Sequence, residues 1–326
     1  MRKLNVRSVS RWVSLMLRYL LGAAIIYWLL QNQTLDWSHI STLTLPFVLF
    51  GIILISLQLV LSAFRVRLLL HGHGIEAALS QCVKFNAVGI FYSTFMPGGV
   101  SGDVARAYFF WREYPEASKA SLAGALFLDR LYGSTTLIFI GLLAATFLLS
   151  IDGSMLNYVV VGWVLLIGGV GCYIWLGRNL LFDDGEIPKG RLASFSFMLR
   201  KFFSKIQLEN YELSTIWLVL LLSACIHIAA IVTIYLFSIH VLSGLSIIQV
   251  AAVSPVGLLV NALPLSPGGI GVGEKSFDML FGLLGGFNGG NAFLIACVFL
   301  YSPALIGGAI LLVAFLKAHK IKIEKS

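Results

Sequence analysis

Long uncharged runs dominate this chain and decide the solvent it can fold in. A helix needs about 20 consecutive apolar residues to cross a bilayer. Six segments meet that length roughly: 14–30, 44–64, 120–149, 157–176, 213–240 and 291–316. Of the 326 residues, 58% are hydrophobic and only 12% are charged. An average soluble domain carries about 25% charged residues. A water-soluble enzyme of this length is therefore excluded, and so is a disordered chain. The predicted class is an all-α polytopic membrane protein. Its first span follows Arg2, Lys3, Arg7 and Arg11, as the core of a signal peptide would. No small-residue cleavage site follows, so the segment counts as a span.

The net charge of +8 reads as loop bias rather than nucleic-acid binding. Lys and Arg crowd the N-terminus, the residues after the second span (Arg65, Arg67), the segment 178–212 and the tail from Lys317. The alternate connections, 31–43, 150–156, 241–246 and 285–290, carry neither residue. Positive loops stay inside, so both termini are expected in the cytoplasm of a bacterial cell, with the chain in its cytoplasmic membrane. Segment 178–212, with its basic and aromatic 197–205, is expected to lie on the anionic inner leaflet. Single cysteines check this. Ser41→Cys, Gly153→Cys, Ser243→Cys and Asn288→Cys should react with an impermeant thiol reagent outside whole cells, whereas Ser8→Cys, Gly190→Cys and Ser326→Cys should not. Cys82, Cys172, Cys225 and Cys297 form no CxxC pair and read as reduced core residues; neither a metal nor a cofactor is expected.

Two further apolar stretches, 80–111 and 247–284, each break at Pro-Gly-Gly. The triplets begin at Pro97 and Pro267, 170 residues apart. Each comes after two spans and before a third. The reading is an inverted repeat of two spans, a broken or re-entrant hairpin and one span, in halves 1–152 and 153–326. Three spans between the hairpins would turn the second over, an arrangement typical of transporters with a midplane site. Proline ends each first helix. The amides freed around Gly98, Gly99, Gly268 and Gly269 would suit an anion such as a lipid phosphate. Charges gather beside the breaks: Asp103 and Arg106 after the first, Glu274 after the second, and Asp129 and Arg130 inside the third span. Buried charges of this kind either hold the bundle together or handle substrate. Gly99-Val-Ser-Gly102 also fits a weak intramembrane-protease pattern with His227 as base, but the flanking residues do not follow it.

Three ordered motifs then carry a likeness. They are Met96-Pro-Gly-Gly-Val-Ser-Gly-Asp-Val-Ala-Arg-Ala-Tyr108, Leu128-Asp-Arg-Leu-Tyr-Gly133 and Pro264-Leu-Ser-Pro-Gly-Gly-Ile-Gly-Val-Gly-Glu274. Together they resemble the lysylphosphatidylglycerol synthase transmembrane, flippase-like family over nearly the whole chain. The resemblance implies kinship with the flippase part of the bacterial multiple peptide resistance factor, which moves aminoacylated phosphatidylglycerol. It also implies kinship with stand-alone members tied to hopanoid, isoprenoid or glycolipid pathways. Asp103, Arg106, Asp129, Arg130 and Glu274 match the family's marked polar positions. Within these 326 residues no stretch is polar and long enough for an aminoacyltransferase domain, so a partner synthase would supply any modified lipid. The expected function is translocation of an anionic or modified lipid. Arg106 and Arg130 would hold its phosphate, with Asp103, Asp129 and Glu274 as their exchange partners. The alternative is an integral-membrane enzyme or accessory subunit acting on a lipid-linked substrate.

Overall fold

The computed structural model describes residues 27, 38–95, 101–149, 156–180, 211–263, 265–266, 269, 271–300, 302–311 and 313. Among them every regular element is a helix. Apart from the single turn Ser38–Ser41, we label these α1 Leu45–Gly72, α2 Leu79–Phe95, α3 Ser101–Glu113, α4 Lys119–Leu149, α5 Leu156–Leu180, α6 Leu213–His240, α7 Ile247–Asn261, α8 Val272–Leu283 and α9 Gly289–Leu300. Five helices are long and apolar enough to cross a membrane: α1, α4, α5, α6 and the run Gly289–Leu311 that contains α9. They match five of the six segments expected from sequence. The sixth, 14–30, lies outside the described residues apart from Tyr27, as do residues 181–210 and the tail. Apolar side chains cover these helices all round, leaving Leu165, Ile167 and Trp217 exposed on the outer surface. A helix without a polar face belongs in lipid.

Both broken stretches appear as helix pairs. The lengths are 17 and 13 residues for α2 and α3, and 15 and 12 for α7 and α8. All four fall below the span length of about 20. The connections sort into two sets. His240 Nε2 lies 3.0 Å from the His39 carbonyl and 3.1 Å from Thr42 Oγ1. Phe287 N–H donates to the Ser243 carbonyl at 2.9 Å, and Asn288 Nδ2 to that of Val241 at 2.8 Å. At the other end of α1 and α6, Tyr211 Oη donates to the Leu69 carbonyl at 2.6 Å. There Gln81 Nε2 donates to Glu113 Oε1 at 2.6 Å, and Tyr114 Oη to Gln81 Oε1. The α2–α3 hairpin thus has both feet at the Gly72 end. The α7–α8 hairpin has both feet at the His240 end.

The two hairpins close by one device. In the first, Gly89 faces Arg106 and Gly102 faces Ser93: a Cβ on Gly102 would sit 2.0 Å from Ser93 Oγ and 2.5 Å from the Gly89 carbonyl oxygen. In the second, Gly257 faces the Phe277 ring and Gly273 faces Asn261. Each first helix carries a glycine and, four residues on, a polar side chain; each second helix carries a glycine and, four residues on, a bulky one. Residues four apart share a helix face, so glycine and side chain interlock twice. Gly102→Ala should push α3 off α2, because the Gly89 carbonyl cannot rotate away. Overpacking of this kind costs about 1–3 kcal/mol, which a lower unfolding temperature in detergent would report.

Apolar packing concentrates at the two ends. Val66, Leu69, Leu70, Phe85, Phe110 and Leu122 pack together at one. Ile55, Phe237, Phe277, Phe293 and Phe299 do so at the other. Helices α1 and α6 contribute to both clusters. Between those levels they line a cavity.

Candidate functional site

The cavity measures about 350 Å³. Ile55, Gln58, Leu59 and Ser62 of α1 line one side, with Ile226 of α6 and Cys297 of α9. The last turns of α2 add Ile90, Ser93 and Thr94, and the end of α7 with the residues after it adds Asn261–Leu263, Ser266 and Gly269. Arg130 of α4 stands in its wall. Both broken segments, based at opposite ends of the bundle, therefore reach one mid-bundle space.

Arg130 ends a ladder of alternating charge. Its Nε and Nη2 donate to Asp103 Oδ2 and Oδ1 at 2.8 and 2.9 Å, a side-on fork. Arg106 Nη1 donates to the same Asp103 at 3.2 Å, and its Nη2 to Asp129 Oδ2 at 3.2 Å. Asp129 Oδ1 accepts from Arg65 Nε at 2.8 Å, and Arg65 Nη1 donates on to Ser223 Oγ at 2.9 Å. Three guanidinium groups face two carboxylates, so one positive charge is left over. Burial rises away from the cavity: the Arg130 side chain is 57% exposed, whereas Arg106 is 7% and Asp129 2% exposed. Arg130 Nη1 has no partner among the described residues.

Several expectations need correcting. Arg65 and Arg67 are not loop charges, because α1 runs on to Gly72. Arg65 lies buried within that helix. The span was ended at Phe64 because Arg65 and Arg67 follow, but Val66 and Leu68-Leu69-Leu70 carry the apolar pattern on to Gly72 and signalled that the helix continues. Gly133, the last residue of the second motif, makes room for it: a Cβ there would meet Arg65 Nη1 at 3.1 Å. Asp129 and Arg130 are neighbours in sequence, yet consecutive helix residues point about 100° apart. Accordingly Asp129 pairs inward with Arg65 and Arg106, and Arg130 pairs with Asp103.

Glu274 joins no arginine among the described residues. Its Oε2 accepts the Gly271 N–H at 2.6 Å, capping α8, and it is 2% exposed. The Gly269 N–H donates to the Ser266 carbonyl at 3.3 Å. Of the amides expected to be free around the second break, that of Gly269 is thus engaged, and so is the neighbouring Gly271 amide. Gly269 itself adopts φ +74°, and the Asn261 side chain fills the space a Cβ would need, so only glycine suits the position. Pro97, Gly98, Gly99, Pro267 and Gly268 lie outside the described residues. The protease-like pair is not assembled: Ser101 Oγ donates to the Tyr92 carbonyl, and His227 Nε2 has no partner among the described residues.

These features define a class: a multi-pass, all-helical membrane protein with a charge ladder leading to an internal cavity. The chain belongs to the family of the lysylphosphatidylglycerol synthase TM region, whose model matches residues 15–318. Comparison with curated proteins finds no match. Family membership ties the chain to a lipid-related role in a membrane.

Proposed function

We infer that this protein is a lipid translocase that passes a phosphate-bearing head group between leaflets through the cavity. One observation carries the reading: the end of α2 and the residues following α7, from two hairpins with feet at opposite ends of the bundle, line a single cavity beside Arg130. A site so placed is reachable from either side by movement of one hairpin at a time, the logic of alternating access around a midplane site. The halves 1–152 and 153–326 act as inverted repeats, with both termini on the cytoplasmic side of a bacterial inner membrane. The doubled glycine device supports this, and it aligns Asp103 with Glu274 and Arg106 with Phe277. On that alignment only the first hairpin keeps a charged rung; the second substitutes an aromatic stack, Phe277 on Phe293 at 4.3 Å.

Arg130 contacts the phosphate with its unused N–H groups. Asp103 holds Arg130 when no lipid is present and yields one of its bonds on binding. Arg106, Asp129 and Arg65 are positioning residues that fix Asp103, while Glu274 and Gly269 shape the second break. The test is reconstitution in vesicles containing head-group-labelled phosphatidylglycerol, with a membrane-impermeant quencher. Quenching should exceed that of empty vesicles without nucleotide, and mass spectrometry should recover the lipid unaltered. A chemically altered lipid would favour the alternative, an enzyme acting on a lipid-linked substrate.

A further inference from the structure

We propose that the run Gly289–Leu311 is a jointed strut between the two hairpins, and that it bends at Ser302-Pro303, so that the first hairpin swings against the second about that point. The inference rests on the translocase reading above and names the joint that its movement needs. The run holds both hairpins. Before the joint, Phe293 of α9 stacks on Phe277 of α8 at 4.3 Å. A Cβ on Gly289 would sit 2.3 Å from the Phe277 carbonyl oxygen. Beyond the joint the helix resumes and meets the first hairpin. There a Cβ on Gly307 would lie 2.1 Å from the Ala87 carbonyl oxygen, and one on Gly308 2.9 Å from the Phe91 ring, both on α2. The Gly289 and Gly307 contacts set backbone against backbone, so each hairpin carries its own part of the strut with it.

Between those two parts the helical hydrogen-bond ladder is interrupted. Pro303 has no N–H to give the Phe299 carbonyl four residues back, as a continuous helix requires. The Ser302 hydroxyl takes that place, donating to the Phe299 carbonyl at 2.7 Å. Side-chain hydroxyls re-satisfy backbone freed by proline at membrane depth. Sharp helix bends occur at prolines, but a bend also needs room. Pro255, inside α7, has none: its ring packs on Gly141 of α4, where a Cβ would meet it at 2.3 Å. Pro303 instead lines the cavity of about 350 Å³, which gives the bend a space to close into. Helix α4 also reaches from one hairpin to the other, through Arg130 on Asp103 and Gly141 on Pro255, but it carries no proline. One link is stiff and the other jointed, so relative movement of the hairpins concentrates at Pro303.

The test is a distance measurement beside a transfer assay. In a chain with Cys82, Cys172, Cys225 and Cys297 replaced, Val104→Cys of α3 and Met279→Cys of α8, both at exposed positions, carry nitroxide labels, one on each hairpin. In vesicles containing phosphatidylglycerol, pulsed electron paramagnetic resonance should find two separations for this pair. Pro303→Ala, which returns the N–H and lets the helix run on, should leave one separation and slow lipid transfer at least tenfold. Pro303→Leu, which returns the N–H and keeps the bulk, serves in its place should the alanine variant fail to stay monodisperse. Pro255→Ala should keep both separations and a rate within twofold. Two separations, or an unchanged rate, in the Pro303 variants would overturn the proposal. So would a single separation in a chain that keeps Pro303 and moves lipid; none of these results touches the translocase reading. Absence of transfer by the unaltered protein would sink that reading, and the joint with it.

Discussion

Asp129→Asn should destabilise the fold by about 3–5 kcal/mol, the loss found when one partner of a buried ion pair is removed. The amide keeps the shape of the carboxylate and loses its charge. Arg65 and Arg106 would then face each other with Asp103 as the single carboxylate for three guanidinium groups. The expected result is poor yield and early loss of monodispersity on heating. Adding Arg65→Met should recover most of the loss, because the remaining Arg106 and Arg130 share Asp103. The Lys275–Asp278 pair, 3.8 Å apart and partly exposed, is the contrast: Lys275→Ala should change stability by less than about 1 kcal/mol. If Asp129→Asn behaves like Lys275→Ala, the ladder does not brace the helices.

Arg130→Gln should cut lipid transfer at least tenfold, which corresponds to about 1.4 kcal/mol, while leaving the fold intact. Its side chain lies at the cavity wall, and its removal leaves Asp103 paired with Arg106. Arg130→Lys should restore only part of the rate. A lysine keeps the charge but cannot hold Asp103 with a planar fork and offer further donors to a phosphate at the same time. Arg106→Ala should also slow transfer, by removing the bond that ties Asp103 to the rest of the ladder, but with a lowered unfolding temperature that Arg130→Gln does not share. The two arginines are thereby separated by stability rather than by rate.

Much of this was legible in the sequence, for identifiable reasons. Spans are long and uninterrupted, so their apolar runs located five helices closely. The Pro-Gly-Gly triplets at Pro97 and Pro267 marked the two breaks, although α7 carries Pro255 within it and ends at Asn261, six residues before Pro267, so the second proline does not itself end that helix. The cluster Asp103, Arg106, Asp129 and Arg130 stood out because charges inside apolar runs are rare. Pairing was not legible. Arg65 looked like the start of a loop, since a charged residue at the end of an apolar run usually lies in water; only its burial against Asp129 and Ser223 reveals it. Glu274 looked like a counter-ion: a helix start was expected after the break, but not that Glu274, three residues past Gly271, would turn back to cap it. The cavity residues Gln58 and Asn261 gave no signal, being single amides in apolar helices that meet only when α1 and α7 pack around the same space.

Access to the cavity from both sides can be read by labelling one cavity thiol. In a chain with Cys82, Cys172, Cys225 and Cys297 replaced, Ser93→Cys places one thiol at the cavity lining. An impermeant maleimide is applied to right-side-out and to inside-out vesicles. Modification is expected from both sides, slowed from both by added glycerophosphoglycerol. Modification confined to one side, under conditions where lipid transfer proceeds, would contradict it.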